Sequence, residues 1–191
     1  MIFTKSLEYY SPDFQRGYLL DKKEVFDGIF KYGLYAHITT VPIILLIGSS
    51  QAFFRYEKSN KRIHRVLGSI YIYLILFLSA PGAFIISFYA FGGWPAKVSF
   101  LTLTILWAWF TYQGLRYGKN KNVIAHKNFM IRSYVLTLSA ITLRLLSFIF
   151  IHYFNFYGEL AYALSAWLSW LPVLILTEFF IRIDLTSINL R

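Results

Sequence analysis

The chain has 191 residues, 57% of them hydrophobic, 20% aromatic and 15% charged, with a formal net charge of +10. Soluble domains are less apolar and more charged, and the lack of cysteine excludes disulfides, thiolate catalysis and Cys-ligated metals. The positive charge is gathered in two short loops, which argues against nucleic acid as a partner.

Residues 1–28 are polar and aromatic with mixed charge. The opening MIFTKSLEYYSPDF lacks the apolar stretch of a signal peptide, so no cleavable signal is expected. Tyr9, Tyr10 and Tyr18 suit a membrane interface, and the segment reads as an extracytoplasmic arm able to dock other membrane-complex subunits. Five apolar runs follow, at about 33–54, 66–91, 98–115, 129–153 and 161–181, each near the ~20 residues that span a bilayer as a helix. The runs are continuous rather than alternating, which excludes a membrane barrel. A backbone in lipid must bond to itself, so the runs are read as helices. The expected fold class is an all-α integral membrane protein, a bundle of five transmembrane helices in a single domain over residues 29–185.

The loop 55–65 carries Arg55, Lys58, Lys61, Arg62 and Arg65, and the loop 116–127 carries Arg116, Lys119, Lys121 and Lys127. The segments 92–97 and 154–160 carry only Lys97 and Glu159. Under the positive-inside rule, the basic loops and the tail 186–191 are cytoplasmic and the N-terminus is outside. FGGWP (91–95) and NFYGE (155–159) read as tight turns, and Pro81 and Pro172 are the candidate kinks. A weak internal repeat relates NKRIHRVLGSIYIYLILFLSA (60–80) to NVIAHKNFMIRSYVLTLSA (122–140). In both, a basic loop leads to a histidine, then a tyrosine, then Ser-Ala deep in the helix.

Ionisable residues in spanning helices are costly and mark function or internal pairing. On the fourth helix His126, Ser133, Thr137, Ala140 and Arg144 share one face. On the second, His64, Gly68, Tyr71, Ile75 and Gly82 do the same. Small residues on such stripes allow close helix approach or leave room for a flat ligand. Gln51, His64, His126, Arg132 and Glu178 fall in one layer near the cytoplasmic side. Arg132 and Glu178 match in depth and are expected to pair. Arg144 has no acid at its depth, which leaves outward snorkelling, bonding to carbonyl, Gln or Ser groups, or an anion from outside the chain. Two imidazoles at one depth suit a six-coordinate b-type haem, so His64 and His126 are candidate iron ligands, with His37 and His152 a second pair. No HExxH, carboxylate pair, Walker loop, GxGxxG or serine-nucleophile constellation is present.

The chain also resembles a known family. HRVLGSIYI (64–72), HKNFMIRSYVLTLSAITLRL (126–145) and YALSAWLSWLPVLILTEFFIR (162–182) are similar to the bacterial predicted-membrane-protein family called domain of unknown function 2306. The matching residues are His64, Arg65, Gly68 and Tyr71; His126, Met130, Arg132, Ser133 and Tyr134; Thr142, Leu143, Arg144 and Leu145; and Trp167, Trp170, Pro172 and Glu178. Gly48 and Gln51 resemble the family's first-helix motif, and Val173 stands where the family carries asparagine. The resemblance implies a multi-pass protein of the bacterial cytoplasmic (inner) membrane and names no reaction. The expected function is a haem- or quinone-binding redox-related subunit in which His64 and His126 ligate iron, Arg144 neutralises an anionic group and Arg132–Glu178 fixes the fifth helix. The alternatives are a structural subunit docking through the N-terminal arm and a small transporter using Arg144 and Glu178.

Overall fold

The computed structural model describes residues 9–11, 13, 14, 19, 22–54 and 60–189, the last six by their backbone alone. Much of the arm, the basic-loop residues 55–59 and the last two residues lie outside the described residues. The described part is helical, and the chain divides within FGGWP into two compact units, Met1–Phe91 and Gly92–Arg191.

The first unit is a hairpin of α1 (Lys23–Phe54) and α2 (Lys61–Ser87). Its helices approach closely at two glycines. A Cβ on Gly82 would lie 2.5 Å from the Gly33 carbonyl oxygen, and one on Gly33 would lie 2.9 Å from Ile85 Cβ. Both helices contain a widened, π-type turn. In α1 it spans Phe26–Phe30, with a non-helical ψ at Gly28. In α2 it spans Ile75–Ser79, just ahead of the expected kink at Pro81. Pro42, which was not among the expected kinks, also lies inside α1. The described arm residues fold back on α1. Tyr35 Oη donates to the Tyr9 carbonyl at 3.1 Å, the Tyr10 hydroxyl bonds Thr39, and Tyr9, Phe14 and Leu19 join Phe26, Phe30 and Leu34 in one apolar cluster.

The second unit holds α3 (Gly93–Lys119), α4 (Val123–Phe154), α5 (Glu159–Leu168) and α6 (Leu171–Asn189). The two glycines of the FGGWP turn take positive φ, 90° at Gly92 and 67° at Gly93. The NFYGE turn does so at Asn155 and Gly158. The α5–α6 break falls beside Pro172, which has no N–H to continue the ladder. The α3–α4 seam is polar and satisfied. Trp107 Nε1 donates to Thr137 Oγ1 at 3.0 Å, and Thr111 and Ser133 hydroxyls bond at 2.7 Å. Ser133 and Thr137 are buried there, so α3 fills the small-residue stripe of α4.

Large apolar side chains lie on the outside as well as in the core. The buried polar residues are mostly Ser and Thr, while Phe53, Phe77, Leu145, Ile175, Phe179 and Phe180 are exposed. That is the pattern of helices packing through small hydroxyl residues with an apolar solvent outside. Four segments are long and apolar enough to cross a membrane: Lys23–Phe54, Lys61–Ser87, Val123–Phe154 and Glu159–Ile183. The expected 98–115 span differs. The 27 residues of α3 reach about 40 Å, but its Trp, Thr and Gln residues, with Lys97 and Arg116, make it less apolar than those four.

Candidate functional site

In the first unit, α2 begins at Asn60, whose side chain accepts from the backbone N–H groups of Arg62 and Ile63. This cap starts the helix five residues before the apolar run and places His64 on its first turn, facing α1. There Gln51 brackets the histidine. Its Nε2 donates to the His64 carbonyl at 3.1 Å, and its Oε1 lies 2.5 Å from His64 Nδ1. A carboxamide oxygen only accepts, so Nδ1 carries a proton. His37 sits deeper in α1. Its Nδ1 faces the Ser79 carbonyl at 3.1 Å and Ser79 Oγ at 3.2 Å, at the end of the widened turn of α2.

In the second unit the motif recurs. The Asn122 side chain accepts from the Ala125 N–H, and His126 follows four residues after the cap, as His64 follows Asn60. His126 Nδ1 lies 2.7 Å from the Gly114 carbonyl, which again fixes the proton on Nδ1. Bare backbone makes this possible. A Cβ on Gly118 would lie 2.9 Å from His126 Nδ1, and one on Gly114 would meet Met130 Sδ at 2.5 Å. One turn or more further along, the Arg132 guanidinium grips both carboxylate oxygens of Glu178, with Nη2 donating to Oε2 at 2.8 Å. Its carbon centre lies 5.2 Å from the Phe129 ring centroid and 5.9 Å from that of Phe110. The expected pairing of Arg132 with Glu178 is thus present, and it ties α6 to α4.

The outer residues divide. His152 is exposed; its Nδ1 faces the Phe148 carbonyl of its own helix at 3.0 Å, and its ring stacks on Phe148 at 4.1 Å. Arg144 is partly exposed, yet its Nη1 is sealed from solvent without an acceptor among the described residues. Gln113 Oε1 is the other such buried atom. Nothing in the residue pattern singled Gln113 out, although an amide among the aromatic residues of α3 was a signal. Among the described residues no three His, Asp or Glu side chains gather as a metal centre. A two-histidine iron site needs no such group.

His64 and His126 belong to separate units, each anchored within its own hairpin. His126 and Arg144 lie eighteen residues apart on one continuous helix, about 27 Å by the α-helical rise. The family model described as Predicted membrane protein (DUF2306) matches residues 34–181. The chain belongs to this family. The DUF2306 match takes in both capped histidines, the Arg132–Glu178 pair and Arg144. No curated protein and no solved structure matches the chain.

Proposed function

We propose that this protein is a redox-related subunit of the bacterial cytoplasmic membrane that binds a haem- or quinone-like ligand, with His64 and His126 as the candidate ligand histidines. Five spans, α3 and the broken α5–α6 segment among them, cross the bilayer, with the N-terminus outside and the C-terminus in the cytoplasm. One observation carries this reading. Both histidines have Nδ1 held by an amide carbonyl oxygen from the preceding helix. Ligand histidines are oriented in this way, because the bond made by one ring nitrogen sets the tautomer and aims the other at the metal. Haem iron supplies one-electron chemistry when bound. The chain's own groups orient the two rings, and the Arg132–Glu178 pair holds α6 against α4. The arm's described aromatic residues pack on α1, which makes a free docking arm the weaker reading.

The test is an optical spectrum of the purified protein in mild detergent, oxidised and then dithionite-reduced, with solvent extraction for quinone. The expected result is a Soret band that shifts and sharpens on reduction, at near one haem per chain. It should be lost in His126→Ala and in His64→Ala while circular dichroism stays helical. A flat spectrum from cells with ample haem, together with no extracted quinone, overturns the reading.

A further inference from the structure

We propose that one exposed stripe of α3 binds an anionic phospholipid, with Arg116 and Lys119 on its headgroup phosphate and Trp109 and Tyr112 at the level of its glycerol. The inference rests on the proposed crossing of the bilayer by α3 and not on the histidine reading. It starts from residue order along the helix. Ile105, Trp109, Tyr112, Arg116 and Lys119 recur every three or four positions within α3, so they share one face. All five are exposed, the first three at 57%, 52% and 48%.

The stripe changes character in the order a phospholipid does. Ile105 is apolar. The Trp109 and Tyr112 ring centroids lie 6.4 Å apart, and such amphipathic rings gather at headgroup level. Arg116 follows Tyr112 by four residues, about 6 Å by the helical rise, and Lys119 by about 10 Å. The polar layer beside the hydrocarbon core is about 5–8 Å deep, so Tyr112 and Arg116 fit within one such layer. From Ile105 to Lys119 the stripe runs about 21 Å, roughly half the thickness of a bilayer with its headgroups. One lipid can therefore follow it from acyl chain to phosphate.

No acid of this hairpin competes for the two cations. Neither α3 nor α4 contains an aspartate or glutamate, and the turn between them has none. The turn adds exposed Lys121, and the first turns of α4 add exposed Lys127, so the whole end is cationic. It is also held in place. Lys121 takes a φ of 59°, and the N–H groups of Asn120, Lys121 and Asn122 donate to the Arg116, Gly118 and Tyr117 carbonyls. A cluster of cations immediately beyond a spanning segment attracts anionic lipid, and arginine matches phosphate by charge and by its fork of N–H groups. A merely solvated basic turn would give the exposed aromatic pair below it no role.

The experiment is native mass spectrometry of the full chain in detergent, titrated with phosphatidylglycerol, with phosphatidylcholine of equal chain length, and separately with inorganic phosphate. Wild type is expected to prefer phosphatidylglycerol. The double variant Arg116→Gln, Lys119→Gln should bind it about tenfold more weakly, with phosphatidylcholine little changed. Lys23→Gln with Lys97→Gln, the same loss of charge off the stripe, should keep the preference, and Trp109→Ala should weaken both lipids. Equal binding of the two lipids by wild type, or an equal loss in the two charge variants, overturns the proposal. Binding of inorganic phosphate that depends on Arg116 and Lys119, without lipid preference, overturns the lipid as the source. A charge effect without a Trp109 effect overturns the stripe and the crossing of α3, and leaves only a headgroup contact at the turn. If the Arg116 and Lys119 variant does not fold, the wild-type preference must fall as ammonium acetate is raised about tenfold, and a preference that persists overturns the proposal.

Discussion

The α1–α2 and α3–α4 hairpins solve one problem at their capped ends by different means. In each, an asparagine starts the second helix and a histidine four residues later turns Nδ1 to a carbonyl on the preceding helix. In α1 that carbonyl belongs to a side chain, Gln51. In α3 it is the backbone of Gly114. The difference follows from where each hairpin is pinched. The α3 glycines 114 and 118 let α4 side chains reach the backbone at the histidine level. The α1–α2 pair closes instead at Gly33 and Gly82, and at Gly68 the nearest outside atom is Gln51 Nε2 at 4.0 Å. Where the helices stand apart, a long amide bridges the gap; where they touch, none is needed.

The largest effect should come from the ion pair of the second unit. Arg132→Met removes the bidentate partner of the partly buried Glu178 carboxylate and should cost about 1–3 kcal/mol. The readout is SDS denaturation followed by circular dichroism. Adding Glu178→Leu should restore most of the loss, and a single-variant cost under about 1 kcal/mol would mean that the pair is solvated. Next come the glycines. Gly82→Ala should cost about 1–3 kcal/mol, because the new methyl meets backbone that cannot turn aside. Gly68→Ala, in open space, should be neutral or slightly stabilising through helix propensity, by less than about 1 kcal/mol. If the two alanines behave alike, the pinch at Gly33–Gly82 is wrong. Gly118→Ala meets a movable imidazole and should cost about 1 kcal/mol, roughly the worth of the His126 bond it displaces. Smallest is Gln51→Leu, at about 0.5–1 kcal/mol. It should free the His64 ring and leave His126 unchanged, which ring-proton NMR of the two histidines can read. A matching disturbance at His126 would show that the anchors are not independent.

Much of this was legible in the sequence. The apolar runs located every described helix of the two hairpins and of α5–α6, and depth counting paired Arg132 with Glu178 correctly. Depth counting works because the helical rise is constant, so two charges on antiparallel helices meet when their distances from the boundary agree. Helix starts were misplaced for a physical reason. The apolar run marks the hydrocarbon, whereas the helices begin at Asn60 and Asn122, where a cap satisfies the first N–H groups. The repeat at 60–80 and 122–140 pointed to the matched histidines without saying what they bond.

The sequence by itself determined the helical membrane class, the basic loops, the repeat and the lack of an acid opposite Arg144. Composition and one-dimensional spacing are enough for these, because lipid forbids unpaired backbone and makes charge costly. Tertiary structure decided what no residue letter encodes. It gave His126 a main-chain acceptor, and a carbonyl has no sequence identity. It filled the small-residue stripe of α4 with Trp107 and Thr111 of α3, sealed Arg144 Nη1 and Gln113 Oε1, and set which glycines face another helix. Each of these depends on the rotation of one helix against its neighbour, which the packing of many side chains sets together.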